Sequence, residues 1–324
     1  MKFLKMNISV ISKIPNLMKE LKIALPQLNF QEINEELETN ITNAEIIVGD
    51  YDLLAPHIYN LPKTKWVQGT WAGLDAIMPH INKPLPYLLT RFSGQHFGQM
   101  MAEYVITNIV NHERDFYAIS ENQKACNWSQ DGNINNYRVI SDLTIGIMGI
   151  GNIGSWIGKC LNLLGAKVLA YGRRPSVQLT GEYSYISEYF AKPGLPMFLK
   201  NSDYIINVLP TTSETRGLLN GNVLQNCKER ESVFINVGRG TIIDEKDLIH
   251  ALNNKWISQA ILDVFLVEPL PKDSPLWTMS QVKITPHVAA VSKPKHVAEQ
   301  FKENYELFIN NKPIPTTVNL ANEY

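Results

Sequence analysis

Short apolar runs alternate with polar, helix-prone stretches from the start of the chain to about residue 98. NISVIS, IPNLMKELKIAL, AEIIVGDY and TKWVQGTW predict strand, helix, strand and strand, the rhythm of an α/β unit on a parallel sheet. In GQMMAEYVITNIVNHERDFYAISENQKACNW, Met101, Tyr104, Val105, Asn108 and Ile109 fall on one helical stripe. That spacing predicts one long helix, long enough to bridge two domains. A second α/β series begins after Leu143. TIGIMGI predicts a strand, a glycine-rich turn follows, and SWIGKCLNLLG predicts a helix with Gly165 where its C-terminus needs one. VLAYGR, SDYIINVLP, SVFINVGR, QAILDVF and VKITPH predict further strands. Their continuous Ile, Val and Leu content suits strands covered on both faces. HVAEQFKENYELFINN predicts a last amphipathic helix, and its return to the first lobe would make that lobe discontinuous.

Length and composition fit this pattern. The chain has 324 residues, enough for two domains, and its 44% hydrophobic content supplies substantial cores. The formal net charge of -1 offers no field for nucleic acid or an anionic membrane surface, so any anion must be met by a few placed cations. Cys126, Cys160 and Cys227 lie far apart without CxxC spacing, which predicts isolated thiols in a reducing compartment, the cytoplasm. The N-terminal MKFLKMNISVISKIP is interrupted by Asn7, Ser9, Ser12 and Lys13. It reads as a first strand and not as a signal peptide. No apolar run approaches the roughly 18 residues of a membrane span.

Gly149, Gly151 and Gly154 form GIGNIG, a G-x-G-x-x-G between a predicted strand and a predicted helix. Such glycines allow a tight turn, backbone approach to a pyrophosphate and close helix–strand packing, while the helix N-terminus offers free N–H groups to phosphate. The expected fold is therefore α/β with two Rossmann-like lobes, each a parallel sheet flanked by helices, and an active site in the cleft. Residues 1–98 plus 289–324 are expected to form a substrate-binding domain, and residues 99–288 the dinucleotide-binding domain. About 20 residues past the glycines, where an acid would bind the ribose of NAD, the chain has Gly172 followed by Arg173 and Arg174. Two planar cations without an acid predict a preference for NADP(H), with NAD(H) possible.

Three ionisable residues each follow an apolar strand: Arg239 in INVGRG, Glu268 in DVFLVEPLP and His287 in ITPHVAA. A histidine beside a carboxylate keeps one tautomer and a stabilised protonated form. An arginine can clamp a carboxylate and polarise a carbonyl. Each alone has a plain structural explanation as a turn or loop residue; together, downstream of one dinucleotide motif, they predict a catalytic set.

GIGNIG, NVGRG, LDVFLVEPLPKDSPLW and TPHVAA, in that order, resemble the D-isomer-specific 2-hydroxyacid dehydrogenases. EPLP, SPLW and TPHVAAVSKP look particularly like the glyoxylate/hydroxypyruvate reductase A branch. The resemblance implies reduction of a small 2-oxo acid, glyoxylate or hydroxypyruvate, by NADPH. It implies Arg239 as the substrate-orienting arginine, Glu268 as the partner of the histidine and His287 as proton donor. It implies Asp263 at the nicotinamide end, and Asn152, Ile153, Leu209, Pro210, Thr215 and Val237 at the cofactor. WAGLD matches the family's substrate loop, with Trp71, Ala72 and Gly73 as contacts and Trp71 where glycine is usual; Arg91 is a further substrate contact. The resemblance also implies a homodimer; no HExxH or clustered carboxylate motif offers a metal, and the charge predicts neither a nucleic-acid nor a membrane partner. Two other readings stay open: an NAD-dependent dehydrogenase of bulkier 2-hydroxy acids, and a dinucleotide-sensing scaffold without turnover.

Overall fold

Continuous apolar runs become parallel strands in the computed structural model, which describes residues 6–33 and 41–320. The basic residues that open the chain lie outside the described residues. In chain order the elements begin with β1 (Ile8–Ile11), α1 (Leu17–Ala24), β2 (Phe30–Glu32), β3 (Ile46–Gly49), α2 (Tyr51–Leu54), β4 (Trp66–Gly69) and β5 (Leu88–Thr90). Two helices follow, α3 (Gln95–Glu113) and α4 (Phe116–Lys124). The second series is β6 (Thr144–Met148), α5 (Asn152–Leu163), β7 (Lys167–Tyr171), β8 (Glu188–Phe190), α6 (Leu195–Lys200), β9 (Tyr204–Asn207), β10 (Val233–Asn236), α7 (Glu245–Asn253), β11 (Gln259–Leu262) and β12 (Val282–Ile284). The last helix is α8 (Pro294–Ile309). No helix among the described residues is long and apolar enough to cross a membrane.

The chain divides into two units, residues 1–97 with 291–324 and residues 98–290. The first holds a sheet of order β2-β1-β3-β4-β5, the second a sheet of order β12-β11-β10-β9-β6-β7-β8, all pairs parallel. Both are doubly wound, with the chain changing direction across the sheet at β1/β3 and at β6/β9. Such a switch point opens a crevice at the carboxyl ends of the strands. β1, β3, β4, β9 and β10 are buried along their whole length, as parallel strands under helices must be.

In the first unit α8 packs on α1 and seals the sheet. Trp66 of β4 stacks on Phe301 (centroids 5.1 Å apart, 12° between planes) and on Phe308 (5.0 Å). Its indole N–H donates to Thr90 Oγ1 at 2.8 Å, so the large ring is buried without stranding its donor. Asn304 Nδ2 of α8 donates to Gln68 Oε1 of β4 at 2.7 Å.

In the second unit a continuous core runs between the sheet and its helices, including Phe198, Leu224, Phe234, Leu252 and Ala260. The Tyr204 hydroxyl donates to Glu113 Oε1 at 2.7 Å, and His112 Nδ1 lies 2.8 Å from Gln259 Oε1, so the end of α3 is fixed to this sheet.

The single long helix expected after residue 98 is instead two. Asp115 takes a left-handed conformation (φ 47°), and its Oδ1 accepts from the Ala118 N–H at 3.2 Å as the cap of α4. Neither Gly nor Pro marks that break. Arg114 lies over the Tyr137 ring (3.6 Å to the centroid), a contact whose partner is remote in sequence. Three short strands, β2, β5 and β8, also escape the hydrophobic pattern.

Candidate active site

Register decides which residues meet. Met148 pairs with Tyr171 and with Asn207, Asn207 with Asn236, Asn236 with Leu262, and Leu262 with Ile284. Six strands therefore end level. The loops they release carry Gly149, Gly172, Leu209, Arg239, Asp263 and His287 along one carboxyl edge of the second unit.

The glycine turn is shaped by two different demands. A Cβ on Gly154 would lie 1.9 Å from the Gly149 carbonyl oxygen, so α5 can abut β6 only because position 154 has none. Gly151 caps α5 in an extended conformation (φ -74°, ψ -164°), and a Cβ there would meet no atom within 4 Å. Nothing in the chain requires glycine at 151, whereas a group seated on the helix N-terminus would. The open cradle, the exposed Gly151 and Asn152 and the free N–H groups of α5 fit the pyrophosphate of a dinucleotide.

At the end of β7 the chain passes Tyr171 and a buried Gly172. A Cβ at 172 would stand 2.8 Å from the Tyr189 hydroxyl, which itself donates to the Arg174 carbonyl at 2.9 Å. The site of the missing acid is thus packed against a tyrosine. Arg173 and Arg174 are exposed beyond it, and Arg174 Nη1 donates to the Tyr183 hydroxyl at 3.0 Å.

Asn207 and Asn236, both buried at strand ends, organise the next two loops. Asn207 Nδ2 donates to Asn236 Oδ1 (2.9 Å), Asn207 Oδ1 accepts from the Leu209 N–H (3.2 Å), and Asn236 Nδ2 donates to the Arg239 carbonyl (3.1 Å). Val237 is buried and its N–H donates to the Asn207 carbonyl at 3.1 Å. Thr215 Oγ1 donates to the Pro210 carbonyl at 2.6 Å, closing the loop after Leu209. Arg239 Nη1 donates to the Gly238 carbonyl at 2.6 Å. A Cβ on Gly240 would lie 1.9 Å from the carbonyl carbon of Phe265, so the Arg239 loop rests directly on the loop that carries Glu268.

His287 and Glu268 meet. Nδ1 lies 2.7 Å from Glu268 Oε2, while Glu268 Oε1 accepts from the Phe265 N–H at 2.8 Å. His287 itself has φ 55°, a strained value for a residue with a side chain. Asp263 imposes it. Only 1% exposed, Asp263 accepts from Thr285 Oγ1 (2.5 Å) and the Val288 N–H (2.9 Å) at Oδ1, and from the Ala289 N–H (3.0 Å) at Oδ2. Because Thr285 donates to Asp263, it accepts from the Tyr104 hydroxyl, 2.7 Å away on α3. Burial pushes the Tyr104 phenol up to about 12, which keeps that proton in place at neutral pH.

The chain matches the family model described as D-isomer specific 2-hydroxyacid dehydrogenase, NAD binding domain, over residues 106–289. That is more than half of its length. The chain is a member of the D-isomer specific 2-hydroxyacid dehydrogenase family. It is 32% identical over 253 residues to a glyoxylate/hydroxypyruvate reductase A of Enterobacter sp. (strain 638), covering 76% of this chain and 78% of that protein. A solved family member from Xanthobacter autotrophicus Py2, in complex with NADPH and MES, superposes with a TM-score of 0.84 at 29% identity, over 99% of this chain and 100% of that one. An NADPH-dependent glyoxylate/hydroxypyruvate reductase from Sinorhizobium meliloti, in complex with NADP and sulfate, superposes with a TM-score of 0.80 at 26% identity, over 98% and 100%.

The remaining candidates of this dehydrogenase belong to the first unit and lie at the carboxyl edge of its own sheet. Asp50, buried at the end of β3, accepts from Ser12 Oγ (2.6 Å) and Thr70 Oγ1 (2.5 Å) and, at its other oxygen, from the Lys13 N–H (2.7 Å). It thereby gathers the loops that leave β1 and β4, and the latter leads into Trp71, Ala72 and Gly73. Trp71 packs edge-on against Tyr51 (centroids 6.4 Å apart, 89°). The Phe92 N–H donates to the Trp71 carbonyl (3.0 Å), and Gln300 Nε2 to that of Arg91 (2.8 Å). Sequence reasoning missed Asp50, Tyr104, Asn207, Asn236 and Thr285. The signal for the asparagines was present, since each closes an apolar strand where a polar residue must find a partner.

The two glycines separate by experiment. Gly151→Ala is expected to fold with an unchanged melting temperature yet bind NADPH at least ~10-fold more weakly, about 1.4 kcal/mol. Thermal denaturation and fluorescence titration measure the two; unaltered NADPH affinity would remove the cradle from the argument.

Proposed function

We propose that the protein reduces a small 2-oxo acid, glyoxylate or hydroxypyruvate, to the 2-hydroxy acid, with NADPH as reductant. The observation that carries this reading is the 2.7 Å pair of His287 and Glu268 on the same strand-end edge as the open glycine cradle. The dinucleotide, held at Gly149, Gly151, Asn152, Ile153 and Gly154 and lined by Leu209, Pro210, Thr215 and Val237, supplies hydride to C2 of the substrate. Everything else falls to the chain. Arg239 and the amides around Ala72 and Gly73 hold the substrate carboxylate, with Trp71 and Arg91 as further contacts. His287 uses Nδ1 on Glu268, which fixes the tautomer and leaves Nε2 to protonate the carbonyl oxygen. Glu268 balances the imidazolium until that proton leaves. Asp263, with its oxygens engaged by the loop, acts on the nicotinamide end by setting the backbone of Thr285–Ala289.

Arg173 and Arg174 support NADPH over NADH, since a 2′-phosphate suits two exposed guanidinium groups and no acid stands at Gly172 to repel it. The relatives from Xanthobacter autotrophicus Py2 and Sinorhizobium meliloti, described with NADPH and NADP, support the same preference. On this reading residues 99–288 carry the cofactor, and residues 1–98 with 289–324 the substrate. Three free cysteines support a cytoplasmic site of action. A homodimer is proposed through residues 116–139, where Phe116, Tyr117, Trp128, Tyr137 and Val139 are exposed, Trp128 by 95%.

Oxidation of NADPH and NADH, measured side by side with glyoxylate and then hydroxypyruvate, tests the reaction. Fast turnover with NADPH and slow turnover with NADH is expected, and no turnover with either pair refutes the proposal. His287→Ala is expected to lower kcat by roughly 10²-fold or more; wild-type kcat in that variant would remove His287 as proton donor. Light scattering is expected to give twice the chain mass, falling towards one chain in Trp128→Asp, whereas a monomeric native protein would sink the dimer.

A further inference from the structure

Outside the candidate active site, the first unit assembles a second set of chemistry-bearing side chains. His96 lies in the first turn of α3, and His296 and Glu299 sit three residues apart in the first turns of α8. His96 Nε2 is 3.3 Å from Glu299 Oε2, and the imidazoles of His96 and His296 stack at 4.5 Å between centroids, 15° from parallel. One ligand atom from each of the three falls within 4.8 Å of the others. Among the described residues this is the one such group of three.

We propose that His96, His296 and Glu299 form a binding site for a divalent first-row transition metal of the Zn2+ class. Two imidazoles and a carboxylate are the donor set that borderline cations select. Bonds of about 2.0–2.1 Å to a tetrahedral ion separate its ligands by about 3.3 Å, the distance already held by His96 and Glu299. The side chains are partly exposed, so the stacked imidazoles can turn to bring the third donor in. Glu299 can serve both neighbours, because its Oε1 faces Lys295 Nζ (3.9 Å) while Oε2 faces His96. His296 Nδ1 is buried without a hydrogen-bond partner, a condition native structures rarely leave to a nitrogen unless an ion or water completes it.

The scaffold is preorganised. Gln300, next to Glu299 and buried, accepts from the Gly94 N–H at 2.8 Å and donates to the Arg91 carbonyl at 2.8 Å. That double bond of side chain to backbone fixes α8 against the segment entering α3, and so fixes Glu299 against His96. The three donors come from both stretches of chain that make up the first unit, residues 1–97 and 291–324. A bound ion would join the two stretches directly, stabilising this unit by mass action.

Zinc titration by calorimetry on the tag-free full chain tests this, with Co2+ absorption as a second reading of the same site. One equivalent of Zn2+ with Kd in the low micromolar range is expected, and d–d bands of four-coordinate Co2+. His96→Ala, His296→Ala and Glu299→Gln should each weaken Zn2+ at least ~10-fold, while His250→Ala, remote on α7, should not. Saturating Zn2+ at about 100 times Kd should raise Tm by roughly 5 °C in the native chain and not in His96→Ala. No binding tighter than about 1 mM, or binding that survives loss of both imidazoles, would overturn the site.

Discussion

The buried carboxylate of Asp263 is the constraint on which the arrangement of the second unit's edge depends. A charged group only 1% exposed is tolerated when its oxygens are saturated, and here two amides and a hydroxyl saturate them. Both amides and the hydroxyl belong to one five-residue stretch, Thr285 to Ala289. The carboxylate therefore dictates the path of that stretch, including the positive φ of His287. The strain at one residue is offset by hydrogen bonds at its neighbours. The Tyr104 hydroxyl extends the chain of bonds by holding the Thr285 oxygen from the other side, and its raised proton affinity keeps it a donor.

The same solution recurs in the first unit. Asp50 ends β3 as Asp263 ends β11, is equally buried, and ties together loops from two neighbouring strands. Between them in kind stand Asn207 and Asn236, neutral groups that bond to each other and to the loops carrying Leu209 and Arg239. A parallel sheet delivers its strand ends level, but it does not dictate where the loops go next. Buried polar side chains at those ends supply the missing instruction. Their cost when unsatisfied, ~1–3 kcal/mol each, makes alternative loop paths unfavourable.

That division explains what could be read from sequence. Buried strands such as TIGIMGI and SVFINVGR were legible because both faces are covered, leaving no polar alternation to obscure them. β2, β5 and β8 were not, whereas β12, equally short, was legible in VKITPH. The break between α3 and α4 rests on Asp115 capping from a left-handed conformation, supported by an Arg114–Tyr137 contact across 23 residues, so local propensity had no hold on it. The expectations for Arg239, Glu268 and His287 came from type and order. The pairing of His287 with Glu268 depends on how the loops after β11 and β12 fold, which Gly240, Phe265 and Asp263 settle together. His96 and His296, 200 positions apart, carried no local signal at all.

The two glycines of the turn answer to different demands. Gly154 is explained entirely from within, by a carbonyl oxygen 1.9 Å from where its Cβ would be. Gly151 is explained by nothing within 4 Å. Glycine in an extended conformation that any residue adopts carries an entropic disadvantage in folding without a compensating contact. A group outside the chain that approaches the backbone more closely than a methyl would allow, as the proposed pyrophosphate would, supplies such a compensation. Gly172 is the opposite case: a Cβ there would stand 2.8 Å from the Tyr189 hydroxyl, so a side chain at 172 would have to displace that tyrosine from the Arg174 carbonyl. On the function proposed above, a preference between the two nicotinamide dinucleotides rests on the exposed arginines beyond it.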